Sequence, residues 1–365
     1  MKQSGFKKTM SFVLLLVFMA TSLGLTGCTA ESQEEWKQIS FAYTLTAQEV
    51  EDVFASIAQL ETCIDNGKNR KITAAYEDMD EKTDYIVHQY VSAEIGYYSD
   101  LDDDTAYERY VEAEEYYMDV REEYMRVMKK LYASDLSAKD KIFADWTAQQ
   151  LKELETSNEA VIDLERQQND LLREYLELEA PESASWSKAV EDIYFDYIAC
   201  SQQLAAYYGY DNFYDYIANE IYMRQYTDAQ REAFRSNVKE VILPFYIEVA
   251  ELYDTKRAQL TKEQKAQFDA LRREACPADN AYLTGYMDSY PEEMRTIMHN
   301  LFDKDAAVYT QSDSAYVVAY TNYSEYYDQP YVFYGNGAQD LLTVVHELGH
   351  YASFYHYTDA TLPHQ

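Results

Sequence analysis

Two histidines and a glutamate near the end of this 365-residue chain have the types and spacing needed for hydrolytic chemistry. His346, Glu347 and His350 form His-Glu-x-x-His. On a helix, residues four apart project from one face about a turn apart, so both imidazoles can reach a single zinc ion. Glu347 is placed to take a proton from a metal-bound water, making a nucleophile for an amide carbonyl. The choice of zinc over another divalent ion rests on the ligand types.

Catalytic zinc takes three protein ligands and a water, so a third ligand is needed. His356 follows His346 at the metzincin spacing, but Ser353 stands where that pattern needs glycine. On an unbroken helix it would also lie about 15 Å along the axis, too far to share the ion. Asp359 and His364 follow with no spacing that demands a role and read as a solvated end. His88 and His299 are isolated in helical segments and read as structural.

The elements that position the motif can be read just upstream. Ala315 to Tyr320 and Tyr331 to Tyr334 are short aromatic and β-branched runs that predict strands. Gly335-Asn336-Gly337 then turns the chain. Asp340 is expected in the first turn of the histidine helix, where a negative charge suits the helix dipole. From residue 36 to 310 the pattern is helical: Gly and Pro are scarce, and apolar residues recur at three- and four-residue steps. Val161, Leu164, Leu171, Leu172, Tyr175 and Leu178 form one such stripe. Thr46 with Glu49, Thr227 with Gln230 and Thr261 with Gln264 are capping boxes that mark helix starts. The segment 180–185 breaks the pattern and is the candidate boundary between a helical lobe over 36–180 and a second domain over 181–365. The 38 tyrosines are expected to fill amphipathic helix faces with ring buried and hydroxyl wet.

Residues 1–27 read as an export signal, with Lys2, Lys7 and Lys8 ahead of an apolar run too short for a comfortable membrane span. The signal ends in Leu25-Thr26-Gly27-Cys28, which resembles a bacterial lipobox, so Cys28 is the expected lipidation site and 28–35 a polar tether. That implies a bacterial membrane lipoprotein facing outside the cytoplasm. Removing the signal leaves 28 basic against 65 acidic residues, a net charge of −37. Such a charge disfavours nucleic acid as a partner, and it requires the lipid, not a basic surface, to hold the protein at an anionic bilayer. Cys63, Cys200 and Cys276 lack metal-ligand or redox spacing; a disulfide among them stays open.

Pro330 through His350 resembles the segment leading into and through the zinc motif of the oligoendopeptidase F group of M3 metallopeptidases. A second match lies far upstream, in Leu204 to Tyr216, Tyr226-Thr227 and Val238 to Pro244. The resemblance covers residues 185 to 350 well and the N-terminal lobe in helical character. It implies a mainly α, two-lobed, neurolysin-like metallopeptidase fold with a small hairpin or sheet beside the zinc helix. By the same resemblance His346 and His350 are the zinc ligands, Glu347 is the general base and short unfolded peptides are the substrates. Tyr331, Val332, Phe333 and Tyr334 would be the edge against which substrate backbone pairs. The family's third ligand is a glutamate on a following helix, expected beyond Gln365, so weak zinc binding and slow cleavage are the expectation for these residues alone. A non-catalytic helical surface lipoprotein that binds peptides or a protein partner is the alternative, but it gives no reason for a base between two ligands.

Overall fold

The computed structural model describes residues 38–356 except 145, 179–183, 222, 223, 225, 272–289, 337 and 338. Helix dominates, with one small sheet, as the sequence pattern predicts. The helices are α1 (Ala47–Asp65), α2 (Asn69–Ser99), α3 (Asp104–Tyr132), α4 (Ala138–Ile142), α5 (Ala148–Thr156), α6 (Glu159–Leu176) and α7 (Ala184–Tyr207). They continue with α8 (Phe213–Tyr216), α9 (Asp228–Asn237), α10 (Leu243–Ala258), α11 (Lys262–Leu271), α12 (Glu292–Asp303) and α13 (Leu341–His356). All three predicted capping boxes form: Thr46 and Thr227 each exchange bonds with the residue three ahead, and Thr261 does so with Gln264 at 2.9 and 3.2 Å. A fourth, Thr147 with Gln150, starts α5.

The chain divides into two compact units, and the division is interleaved. The first holds the described residues of 38–43, 91–110 and 227–356; the second holds 44–90 and those of 111–226. The boundary predicted near residue 180 is therefore not where the chain divides. The break there joins α6 and α7, which pack against each other within one unit.

The second unit is all helix. Val53, Ile57, Leu60, Ile72, Met79 and Ile86 meet Val120, Val127, Met128 and Leu131 in its main core. Val161, Leu164, Cys200, Leu204 and Tyr216 form a smaller core, in which the Cys200 thiol donates to the Leu164 carbonyl at 3.0 Å. Burial raises the pKa of that thiol. Cys63 and Cys200 are buried free thiols, while Cys276 and Cys28 lie outside the described residues. Of the predicted α6 stripe, Val161, Leu164 and Leu171 are buried; Leu172 and Tyr175 are exposed, and Leu178 lies past the helix end. In α3, Arg121 is shared between Glu153, at 2.9 Å, and Glu165.

The first unit is built on a three-stranded sheet of β1 (Ala307–Tyr309), β2 (Ala319–Ser324) and β3 (Gln329–Tyr334) in the order β1-β3-β2. β3 pairs parallel with β1 and antiparallel with β2, with Thr321 opposite Val332 and Tyr320 opposite Phe333. The predicted strand over 315–320 forms only from Ala319 on and runs to Ser324, and β1, three residues long, carries no alternating signal. Strand alternation assigns two jobs. Tyr320, Tyr331 and Phe333 face the tip of the α2–α3 hairpin, where Tyr98 meets Tyr316 and Phe333 at ring distances of 5.1 and 6.3 Å. Thr321, Tyr323, Val332 and Tyr334 face α13, and the Tyr334 hydroxyl donates to the Val344 carbonyl at 3.4 Å.

The tyrosines thus split from their expected pattern. Tyr97, Tyr98, Tyr110, Tyr331 and Tyr334 are buried whole, whereas Tyr194, Tyr207 and Tyr214 are exposed.

Gly335 ends β3 where a side chain has no room. A Cβ there would fall 1.7 Å from the Tyr316 carbonyl oxygen and 2.6 Å from that of Val318, both backbone atoms. The same contact is a bond: the Gly335 N–H donates to Val318 O at 2.8 Å. Gly335→Ala is expected to cost about 3 kcal/mol, the upper end for overpacking, because backbone cannot rotate away as a side chain can. Chemical denaturation of the variant checks this, and a loss under about 0.5 kcal/mol, the range of ordinary surface substitutions, would contradict it.

Candidate metal centre

The helix that carries the motif begins one residue later than its charge suggests. Asp340 precedes α13 and caps it: Oδ1 accepts the Leu342 and Thr343 N–H groups at 3.0 and 3.3 Å, and Oδ2 accepts the Thr343 hydroxyl at 3.0 Å. The expected first-turn charge is an N-cap, which satisfies N–H groups that have no partner within the helix. From there α13 runs unbroken through His356.

Its apolar residues recur at three and four, so Val344, Leu348 and Tyr351 bury against the sheet and leave His346 and His350 on the exposed side. Both Nε2 atoms turn to the same point, 3.1 Å apart. Two ligands of a tetrahedral zinc at about 2.0–2.1 Å would stand about 3.3–3.4 Å apart. The pair therefore fits a shared cation with almost no movement. Among the described residues no group of three or more His, Cys, Asp or Glu side chains converges, so no third ligand joins them there. His356 lies ten residues on in the same helix, about 15 Å along the axis. Asp359 and His364 lie outside the described residues. His299 pairs with Asp303 at 2.9 Å, and His88 is buried within α2.

Glu347 sits on the border between the buried and exposed sides of α13 and is only 5% exposed. Its Oε2 accepts the hydroxyl of Thr321 at 2.7 Å, and the same hydroxyl lies 3.2 Å from its backbone carbonyl. Among the described residues no cation lies within ion-pair distance of this carboxylate. Thr321 carries no motif; it contacts Glu347 because of the strand register, which sequence patterning does not reveal.

The strand expected to accept a substrate backbone is not free to do so. Tyr331, Val332, Phe333 and Tyr334 lie in the central strand at no more than 1% exposure, with β1 on one side and β2 on the other. Runs buried on both faces read as aromatic and apolar whether they are central or at an edge, and only pairing tells them apart. The unpaired edge nearest the motif belongs to β2, whose other side meets no strand among the described residues.

No protein-family model matches the sequence, and no curated protein is similar to it. Solved structures are. A protein described as oligoendopeptidase F from Bacillus anthracis strain Ames superposes with a TM-score of 0.63 at 15% identity, covering 89% of this chain and 67% of its own. The fold is that of oligoendopeptidase F. PZ peptidase A with a bound inhibitor gives a TM-score of 0.60, also at 15% identity, covering 90% of this chain and 65% of its own. A second structure described as oligoendopeptidase F gives 0.60 at 15% identity over 66% of its length. This chain spans about two thirds of the length of these oligoendopeptidase F-like structures, and at such identity the likeness is one of fold.

Proposed function

We propose that this protein is a zinc-dependent endopeptidase acting on short unfolded peptides. The observation that carries the reading is a pair of histidine nitrogens 3.1 Å apart on a helix, with a buried carboxylate between them in sequence. The peptidase fold supports it. His346 and His350 would hold the ion, and the third protein ligand lies outside the described residues. Bound zinc supplies an acidified water and a Lewis acid for the scissile carbonyl. Glu347 takes the proton of the attacking water and passes it to the leaving amine. The side of β2 that meets no strand among the described residues is the backbone edge on which a peptide would lie as an added strand. Cys28, outside the described residues, is the proposed lipid anchor at a bacterial membrane; among the described residues no helix is long and apolar enough to cross one. The strong negative charge favours neutral or basic peptides over acidic ones.

The ligand assignment has a direct test in the protein isolated from its own cells. His346→Ala and His350→Ala are each expected to lower bound zinc from near one ion per chain to background, read by elemental analysis after gel filtration. Thermal stability of the second unit should be unchanged. Zinc retained in both variants would sink the assignment.

A further inference from the structure

A general base must offer one oxygen in one direction, and a glutamate on a helix has rotatable bonds that work against this. Thr321 supplies what removes that freedom. It lies on β2 opposite Val332 of the buried central strand, and the same sheet holds α13 through Tyr334 and the Val344 carbonyl. A threonine is stiff about its first torsion, so its hydroxyl is fixed relative to the sheet. That hydroxyl has one proton and two acceptors within reach, Oε2 at 2.7 Å and the Glu347 carbonyl at 3.2 Å. The nearer acceptor, Oε2, takes it. Neighbours on this face of β2 serve packing instead, as Tyr323 does against Phe354 with ring centroids 6.2 Å apart.

We propose that Thr321 is a positioning residue for Glu347, tying down Oε2 so that Oε1 is the oxygen that takes the proton. The inference rests on the peptidase reading and adds a residue to it. In the step it serves, the water oxygen bonds to the carbonyl carbon, its proton passes to Oε1, and Oε1 later gives that proton to the leaving nitrogen as the C–N bond breaks. Oε2 stays the acceptor of the Thr321 hydroxyl throughout.

Thr321→Val removes the hydroxyl but keeps the branched shape and strand preference, and Thr321→Ser restores the hydroxyl. Both are measured in the protein isolated from its own cells, with kcat, KM, zinc content and denaturation followed together. The expected result is a fall in kcat of about 10- to 100-fold in Thr321→Val, the scale of a misplaced catalytic group. KM and zinc should not move, and Thr321→Ser should recover most of the rate. A Thr321→Val rate within twofold of wild type would overturn the proposal. So would a loss shared by kcat, KM and zinc that serine does not restore, since that marks a merely structural role. If zinc-loaded wild type cleaves no peptide, the peptidase reading fails first and this proposal falls with it, a result seen without any Thr321 variant.

Discussion

Glu347→Gln is expected to lower peptide cleavage by about 10²- to 10⁴-fold, the usual contribution of a general base, while zinc stays bound. The amide has nearly the shape of the carboxylate and its carbonyl oxygen can still accept the Thr321 hydroxyl, so the buried site keeps its hydrogen bond. What disappears is the ability to accept a proton from water. His346 and His350 converge without help from Glu347, so metal content should match wild type. Rate and zinc measured on one preparation therefore separate base from ligand. A variant that cleaves at the wild-type rate would show that Glu347 is not the base, and a variant that loses its zinc would show that it is a ligand.

Glu94→Gln is expected to stabilise the protein by about 3 kcal/mol at pH 8 and to change little near pH 4.5. Glu94 lies near the end of α2, under the sheet face opposite α13. Part of the residue reaches solvent, but its carboxyl is enclosed, with Tyr98 on its own helix, Tyr320 on β2 and Tyr331 on β3 among the titratable groups near it. Burial pushes the carboxyl up to about 7, against a smaller opposing effect from the Tyr98 hydrogen bond. The folded protein therefore holds this proton more tightly than the unfolded chain, whose carboxyl titrates near 4.5. Between about pH 4.5 and 7 the unfolded state binds fewer protons, so stability falls as pH rises through that window. Above it the folded state carries a buried charge with no ion-pair partner among the described residues. Glutamine carries no charge at any pH, and the Tyr320 hydroxyl, without a partner among the described residues, is a near acceptor for its amide. Urea denaturation at the two pH values checks this; an equal effect at both would mean that the carboxyl is not titrating in the fold.

Where sequence and structure agree, the reason is locality. A capping box joins Thr46 to Glu49 three residues away, and no distant contact is needed to form it. The same holds for the histidine pair, whose convergence follows from four-residue spacing on a helix. Helical class was legible because apolar periodicity repeats over several turns in each segment. The strand end at Gly335 was legible as a turn, though its cause, the backbone of Tyr316 and Val318 against the Cα, was not.

The sequence by itself determined the mainly helical class, the caps, and a helix bearing two convergent imidazoles with a carboxylate between them. Only the tertiary structure decided that β3 is central and not an edge, that the units interleave, that Thr321 holds Glu347 and that tyrosines enclose Glu94. Those depend on strand register and on segments from 26 to more than 200 residues apart coming together. An amphipathic pattern says which side of a segment is buried, because burial is nearly non-directional. It does not say against what, and partner choice is where Glu347 found its hydrogen bond.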